Sequence, residues 1–148
     1  MSPDFTCIIL ILPKNTSPFS LTTVSPRLIQ LELTESDFFD NRLVTRDIVD
    51  RLHQASFAVL MDDFGTGYSF LNLLKDLSVD VLKLDKGFME DAANNEKEQR
   101  IVASIVQMTQ SLGMKVTAEG VETDAQYRYL LSVGCDEIFR QADGKRRV

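Results

Sequence analysis

The chain has 148 residues, 44% of them hydrophobic, and a formal net charge of −6, which suits one domain with a modest core. It is too short for a complete eight-stranded α/β barrel, which takes about 250 residues. The negative charge is concentrated in the middle of the chain, so a nucleic-acid polymer is an unfavourable partner.

The N-terminal segment differs from the rest in composition. All four prolines fall within residues 1–26, and none follows. We therefore predict an irregular leader over residues 1–26 and a regular α/β body after it. The leader has no signal-peptide pattern, and its apolar run at residues 5–12 is too short to cross a bilayer, so we expect a cytoplasmic protein without a membrane span. Cys7 and Cys135 lie far apart in sequence, which favours free thiols.

After the leader, short β-like runs alternate with helical patterns. The predicted strands cover residues 28–33, 57–63, 79–85 and 115–120, and residues 135–139 offer a fifth. Because each strand is followed by a helical stretch, the strands are expected to be parallel, with their carboxyl ends at one edge. The pattern predicts an α/β fold of about four to five β-α units.

The helices are predicted from apolar residues at helical spacing. A stretch at about 69–77 is one of them. The first helix has an apolar face formed by Val44, Ile48, Leu52 and Ala55. The clearest helix, residues 96–112, presents Ile101, Ile105, Met108 and Leu112 before a stop at Gly113. The last helix begins with a capping box, Thr123 with Gln126, and ends at Gly134.

Charged side chains lie at the ends of these strands. Glu32, Asp62, Asp63 and Glu119 would together give an oxygen-rich site suited to Mg²⁺, Mn²⁺ or Ca²⁺. Lys83, at the end of another strand, would position a metal-bound water or meet a phosphate. Each acid taken singly is more typical of a cap or a solvated group than of a ligand, and only their recurrence across the strands favours a site.

Several other residues and motifs carry less weight. Glu35 and Glu122 lie past their strands, where turn or salt-bridge roles compete with function, and His53 is expected at the surface or in packing. Asp63 begins the DFG of protein kinases, but no HRD loop precedes it. Gly65 begins GxGxxG, but Phe70 replaces its third glycine. A phosphoacceptor receiver domain leaves no place for the charged residues at 32–36 and 118–123.

Five segments, taken in order, resemble the bacterial EAL domain. They are ELTES (32–36), DDFGTGYS (62–69), LKLDKGF (82–88), AEGVET (118–123) and LSVGCDE (131–137). The resemblance implies a partial (β/α) barrel of the TIM type over residues 27–139, followed by a non-matching basic tail at 140–148. It also implies a bacterial signalling function, the hydrolysis of cyclic di-GMP to pGpG with two Mg²⁺ or Mn²⁺ ions.

The same resemblance implies residue roles. Glu32 and Asp62 would bind one metal, and Asp62 would bridge to a second metal held by Asp63 and Glu119. Lys83 would hold or activate the attacking water, which makes Lys83 and Glu119 the catalytic pair. Glu35 and Glu122 would support the loop after DDFGTG, and no substrate-binding residue is assigned.

The sequence also departs from the family pattern. The family takes a metal-binding Glu and a metal-binding Asn from strands before ELTES, but here no Glu precedes Glu32 and the only earlier Asn is Asn15. Phe139 stands where the family has Gln. We therefore expect a domain truncated at both ends, with little or no activity as this chain alone.

Two further expectations follow from a truncated domain. The alternative to an enzyme is a non-catalytic module that binds the nucleotide or a protein partner in cyclic di-GMP signalling. A partial barrel would leave sheet edges open, so we expect pairing with a second copy or docking on another EAL or GGDEF protein.

Overall fold

The computed structural model describes residues 10–11, 29–34, 42–62, 74–76, 78–90 and 95–140. The chain forms two compact units, Met1–Asp80 and Val81–Val148. Each unit contains parallel strands and at least one helix, so the predicted α/β class is confirmed.

In the part of the first unit that the structure describes, three strands and one long helix are found. Its elements are β1 (Leu10–Ile11), β2 (Gln30–Thr34), α1 (Arg42–Gln54) and β3 (Ala58–Asp62). Strands β2 and β3 are parallel, whereas β1 runs antiparallel to β2 and pairs with Gln30 and Leu31. A short strand from the predicted leader therefore covers part of the β2 edge.

Over residues 81–90 and 95–140, the second unit contains three parallel strands and three helices. Its elements are β4 (Val81–Leu84), α2 (Lys86–Glu90), α3 (Glu96–Ser111), β5 (Lys115–Val121), α4 (Asp124–Ser132) and β6 (Glu137–Arg140). Strand β5 pairs with β4 on one side and with β6 on the other. Both sides of β5 are thus occupied by parallel neighbours.

The strands supply most of the core. Val59, Met61, Leu82, Leu84 and Val116 are fully buried, and Leu60, between Val59 and Met61, is only 3% exposed. Consecutive buried residues within one strand are typical of parallel sheets that are covered on both faces. Near-continuous apolar runs in the sequence therefore marked these strands correctly.

The buried face of α3 differs from the predicted one. The residues it buries are Val102, Ile105, Val106 and Thr109. Of the predicted face, Ile101 is 46% exposed and Leu112 is 56% exposed, and only Ile105 is buried. Apolar residues occupy two adjacent arcs of this helix, so periodicity alone could not choose between them.

Helix α1 shows the same kind of error. Its buried residues are Thr45 and Val49, whereas Val44 and Ala55 of the predicted face are exposed. The helix instead turns Thr45, a residue with a hydroxyl, towards the core. A pattern that counts only apolar residues cannot predict that a polar residue will be buried.

The predicted helix boundaries hold better than the predicted faces. Thr123 and Gln126 form the expected capping box at the start of α4. Gly113 follows α3 with a φ of 81°, a conformation that favours glycine. Helix α2 was missed, since five residues are too few for a periodic pattern. Of the helix predicted at about 69–77, the structure describes residues 74–76, which are helical.

Within the described ranges, none of the helices combines the length and the apolar character needed to cross a membrane.

Candidate functional site

In the first unit, Glu32 and Asp62 lie on the same face of the β2–β3 pair. Glu32 pairs with Leu60 in the parallel register, and Asp62 lies two residues beyond Leu60. Side chains two residues apart point to the same face of a strand. Glu32 is only 5% exposed, so β2 carries a carboxylate into largely buried surroundings next to the strand that carries Asp62.

The position of β3 is fixed at its other end by Asp80. The Asp80 carboxylate accepts a hydrogen bond from the backbone N–H of Val59 at 2.7 Å, and the Asp80 N–H donates to the Val59 carbonyl at 2.9 Å. His53 Nε2 lies 2.9 Å from the same carboxylate oxygen. Asp62 follows the anchored valine by three residues, so this anchor holds the strand that carries it.

In the second unit, Lys83 and Glu119 form an ion pair. Lys83 pairs with Thr117 in the β4–β5 register, and Glu119 lies two residues further along β5 on the same face. The Lys83 Nζ is 3.1 Å from Glu119 Oε2, and the two side chains are 12% and 44% exposed. A largely buried ammonium is costly unless a carboxylate compensates its charge, and Glu119 does so here.

A second anchor, Asp136, holds β5. Its carboxylate accepts a hydrogen bond from the Val116 N–H at 2.8 Å and another from Gln110 Nε2 at 3.1 Å. The Asp136 N–H donates to the Val116 carbonyl at 3.0 Å. Glu119 follows Val116 by three residues, the same interval that separates Asp62 from Val59.

Glu122, predicted to support the loop after DDFGTG, pairs with Lys86. The Lys86 Nζ is 2.8 Å from Glu122 Oε1, with each side chain 47% exposed. Residues 63–70 lie outside the described residues, so its predicted role towards that loop stays a prediction. Glu35 and Asp63 also lie outside the described residues.

No cluster of metal ligands forms among the residues that the structure describes. Across those ranges, no group of three or more His, Cys, Asp or Glu side chains is placed to hold a metal ion. The structure thus brings together Glu32 with Asp62 on one face and Lys83 with Glu119 in a contact.

Sequence reasoning missed three residues around the site, namely Lys86 and the anchors Asp80 and Asp136. Both aspartates directly precede a strand. A single acidic residue at the start of a strand is ordinarily interpreted as exposed to solvent. His53, expected at the surface or in packing, is partly exposed and contacts Asp80. The only available hint was the tripeptide Leu-Ser-Val, which precedes both aspartates.

Comparison with known proteins identifies the family. Residues 18–138 match the EAL domain. The chain is 37% identical over 116 residues to the bifunctional diguanylate cyclase/cyclic di-GMP phosphodiesterase MucR of Pseudomonas aeruginosa, covering 78% of this chain and 17% of MucR. The curated relatives that head the comparison are covered over only 14% to 20% of their length.

Solved structures agree with the sequence match. The PaMucR phosphodiesterase in complex with c-di-GMP is similar with a TM-score of 0.71 at 37% identity, over 78% of this chain and 47% of that one. The manganese/cy-diGMP complex of Klebsiella pneumoniae BlrP1 gives 0.74 at 34% identity, over 84% and 31%. The EAL domain of Mycobacterium smegmatis DcpA gives 0.68 at 40% identity, over 73% and 48%.

These matches confirm the predicted fold type. About half of a chain solved as an EAL domain is covered, which agrees with a partial barrel of the TIM type with parallel strands. The match extends over most of the described residues, and the identity is well above the level at which only the fold is shared. The chain belongs to the EAL domain family.

Proposed function

We propose that this chain carries part of an EAL-type cyclic di-GMP phosphodiesterase centre. The observation that supports this most is the contact between Lys83 and Glu119, at 3.1 Å. It places a largely buried cation beside a carboxylate at the two positions that the family resemblance assigns to catalysis. An ion pair needed only for stability gains little at a surface and would not require a buried lysine.

The proposed metal ligands are Glu32, Asp62, Asp63 and Glu119. Carboxylate oxygens are the ligands that Mg²⁺ and Mn²⁺ prefer, and Glu32 and Asp62 share one face of the first unit. Relatives support a divalent ion, since BlrP1 was solved with manganese or calcium together with cy-diGMP. The choice of Mg²⁺ or Mn²⁺ is part of the proposal.

In the proposed reaction, water attacks phosphorus and the bond from phosphorus to one ribose oxygen breaks, which turns cyclic di-GMP into pGpG. Lys83 orients the water through its ammonium N–H groups. Glu119 holds that ammonium in place. Bound divalent cations would stabilise the attacking and leaving oxygens of the in-line displacement.

The chain by itself is expected to turn over little substrate. The family's Glu and Asn from earlier strands have no counterpart in this sequence, and Phe139 replaces a family Gln. These departures favour the second candidate function, a module that binds cyclic di-GMP or a partner without hydrolysing it. The enzyme and a nucleotide-binding module both require binding of cyclic di-GMP, so binding and hydrolysis must be measured separately.

Calorimetric titration tests the binding site. We expect Mn²⁺ to bind the full chain, and Asp62→Asn to weaken Mn²⁺ binding at least 10-fold because a ligand is lost. Asp50→Asn, a carboxylate change at an exposed position of α1, is the matched control and should leave the affinity unchanged. Equal affinities for Asp62→Asn and the unchanged chain would contradict the proposed ligand set.

Chromatographic measurement of pGpG tests the chemistry. With Mn²⁺ present, we expect binding of cyclic di-GMP and turnover orders of magnitude below that of a catalytically complete EAL domain such as the MucR phosphodiesterase. Turnover at a comparable rate would favour the enzyme over the non-catalytic module. Failure to bind cyclic di-GMP in the presence of Mn²⁺ would overturn the enzyme and the nucleotide-binding module, and would favour a module that binds a protein partner.

We also propose the predicted domain division, with a leader at 1–26, the EAL part at 27–139 and a basic tail at 140–148. Pairing with a second copy, docking on another EAL or GGDEF protein and a cytoplasmic location stay predictions from the sequence. Light scattering checks the pairing, and the mass of a single chain at micromolar concentration would contradict it.

A further inference from the structure

Two ion pairs join β4 and the start of α2 to the end of β5 and the residue after it. Lys83 pairs with Glu119 at 3.1 Å, and Lys86 pairs with Glu122 at 2.8 Å. The two lysines are three residues apart, and so are the two glutamates. Lys86 is the first residue of α2, and Glu122 directly follows β5, so the second ion pair lies just beyond the paired strand residues.

Strand β5 is irregular where it pairs with β6 close to these glutamates. Ala118 pairs with Ile138 and Val121 pairs with Arg140, so β5 advances three residues while β6 advances two. One extra residue in a strand is the hallmark of a β-bulge, which bends the strand and redirects a side chain. The irregular segment contains Glu119, the proposed partner of the catalytic lysine.

Gly120 makes the irregular segment fit against Lys86. Its φ is 72°, and a Cβ placed on it would lie 2.9 Å from the Cβ of Lys86. Only glycine satisfies both the conformation and the close approach. The stem of Lys86 therefore packs on the backbone directly after Glu119, while its Nζ binds Glu122 on the far side.

We infer that Lys86, Gly120 and Glu122 are positioning residues that hold Glu119 against Lys83. Lys86 contacts the extra-residue segment at Gly120 and is tied to Glu122 just beyond it, so the backbone of Glu119 is constrained on its C-terminal side. On its N-terminal side, the Asp136 anchor at Val116 constrains the same strand. The role in metal binding rests on the proposed function, whereas the effect on the Lys83–Glu119 contact does not.

A double-mutant cycle tests the constraint without any metal. We expect Glu119→Gln and Glu122→Gln each to lower the urea midpoint of unfolding. Loss of Glu122 would already weaken the Lys83–Glu119 contact. The double variant should therefore lose clearly less unfolding free energy than the sum of the losses in the two single variants. Repulsion between the two carboxylates alone would give the opposite deviation, a loss larger than the sum. Additive losses, or that larger loss, would overturn the inference.

Manganese binding tests whether the positioning of Glu119 by Lys86, Gly120 and Glu122 affects the proposed metal site. We expect Glu122→Gln to weaken Mn²⁺ binding about 10-fold, as is typical when a residue that orients a ligand is removed. Lys86→Arg, which keeps the charge, should restore most of the affinity that Lys86→Met loses. Asp124→Asn is the matched control, since it also converts an ion-paired carboxylate to an amide, at the Arg140 contact, and should change the affinity less than twofold.

The two measurements separate the two proposals. If the unchanged chain binds no Mn²⁺, the proposed metal site fails, and the cycle still decides whether Glu122 positions Glu119. If Mn²⁺ binds and Glu122→Gln binds it as tightly as the unchanged chain, Glu122 has a structural role only and the inference fails.

Discussion

Asp80 in the first unit and Asp136 in the second occupy equivalent positions. Each accepts a hydrogen bond from the second residue of a strand, Val59 or Val116, and returns one from its own N–H. Each also contacts the last-but-one residue of the preceding long helix, His53 or Gln110. A proposed metal ligand, Asp62 or Glu119, follows the anchored valine by three residues. Two different acids are thus positioned by the same arrangement, an aspartate hydrogen-bonded to the valine three residues before the acid.

The two units differ at the residues around the anchoring aspartate. The residue before the aspartate is Val79 in the first unit and Cys135 in the second, and both are buried. The turn between helix and strand has Ser56 at a φ of 66° in one and Gly113 at 81° in the other. Each unit therefore serves as a natural reference for substitutions in the other unit.

The largest effect is expected from removing an anchor. Asp136→Ala and Asp80→Ala each leave a strand N–H without its acceptor, which costs about 2 kcal/mol of unfolding free energy. Urea denaturation of the full chain measures it. Asp50→Ala on the exposed face of α1 is the control and should change stability by less than about 0.5 kcal/mol. Similar small losses at all three positions would show that the anchors do not hold the strands.

The next effect depends on pH and on Cys135. Burial raises the pKa of this thiol to about 11 from its ordinary 9.0. Since the folded state disfavours the thiolate, the thiol's contribution to stability is fully present below about pH 9 and is lost as pH rises through 11. We expect Cys135→Val, which copies Val79, to match the unchanged chain at pH 7 and to lose less stability between pH 9 and pH 11.

Urea midpoints at a series of pH values measure this difference. By pH 11 it should be on the order of 1 kcal/mol. The matched pair removes the contribution of groups common to both proteins, including Tyr129, whose pKa burial also raises. Parallel pH profiles for the two proteins would show that the Cys135 thiolate is not disfavoured by folding.

The smallest effect is expected at the helix-to-strand turns. Ser56→Gly should stabilise the chain by about 0.5 kcal/mol, because relief of the left-handed backbone outweighs the added freedom of the unfolded chain. Gly113→Ser should destabilise by about 1 kcal/mol. A Cβ at Gly113 would meet nothing within 4 Å, so this cost is purely conformational. Thermal melting measures both, and a stabilising Gly113→Ser would contradict the argument.

Sequence reasoning recovered the strands because parallel strands bury both faces. The apolar runs at 57–63 and 79–85 contain β3 and β4, displaced at their ends by two residues or fewer. It chose the wrong arc of α3, where Ile101 is exposed and Val102 is buried. Both arcs are apolar, and only tertiary packing decides between them.

The candidate site was predictable only in part. Lys83 and Glu119 were singled out by their positions at strand ends, and their contact is now observed. Lys86 was missed because its role depends on an extra residue in β5 and on Glu122, which no local pattern reveals. The anchors were missed for another reason: Leu-Ser-Val lies directly before Asp80 but is separated from Asp136 by Gly134 and Cys135, so the repeat does not align them.

The three-residue interval between each anchored valine and its acid limits how this chain can change in length. One residue inserted between Val116 and Glu119 would turn the carboxylate to the other face of β5, away from Lys83. The same insertion between α4 and Asp136 would leave the interval intact and only lengthen a connection. Insertions and deletions should therefore be tolerated before the anchoring aspartates and rejected between an anchored valine and its acid.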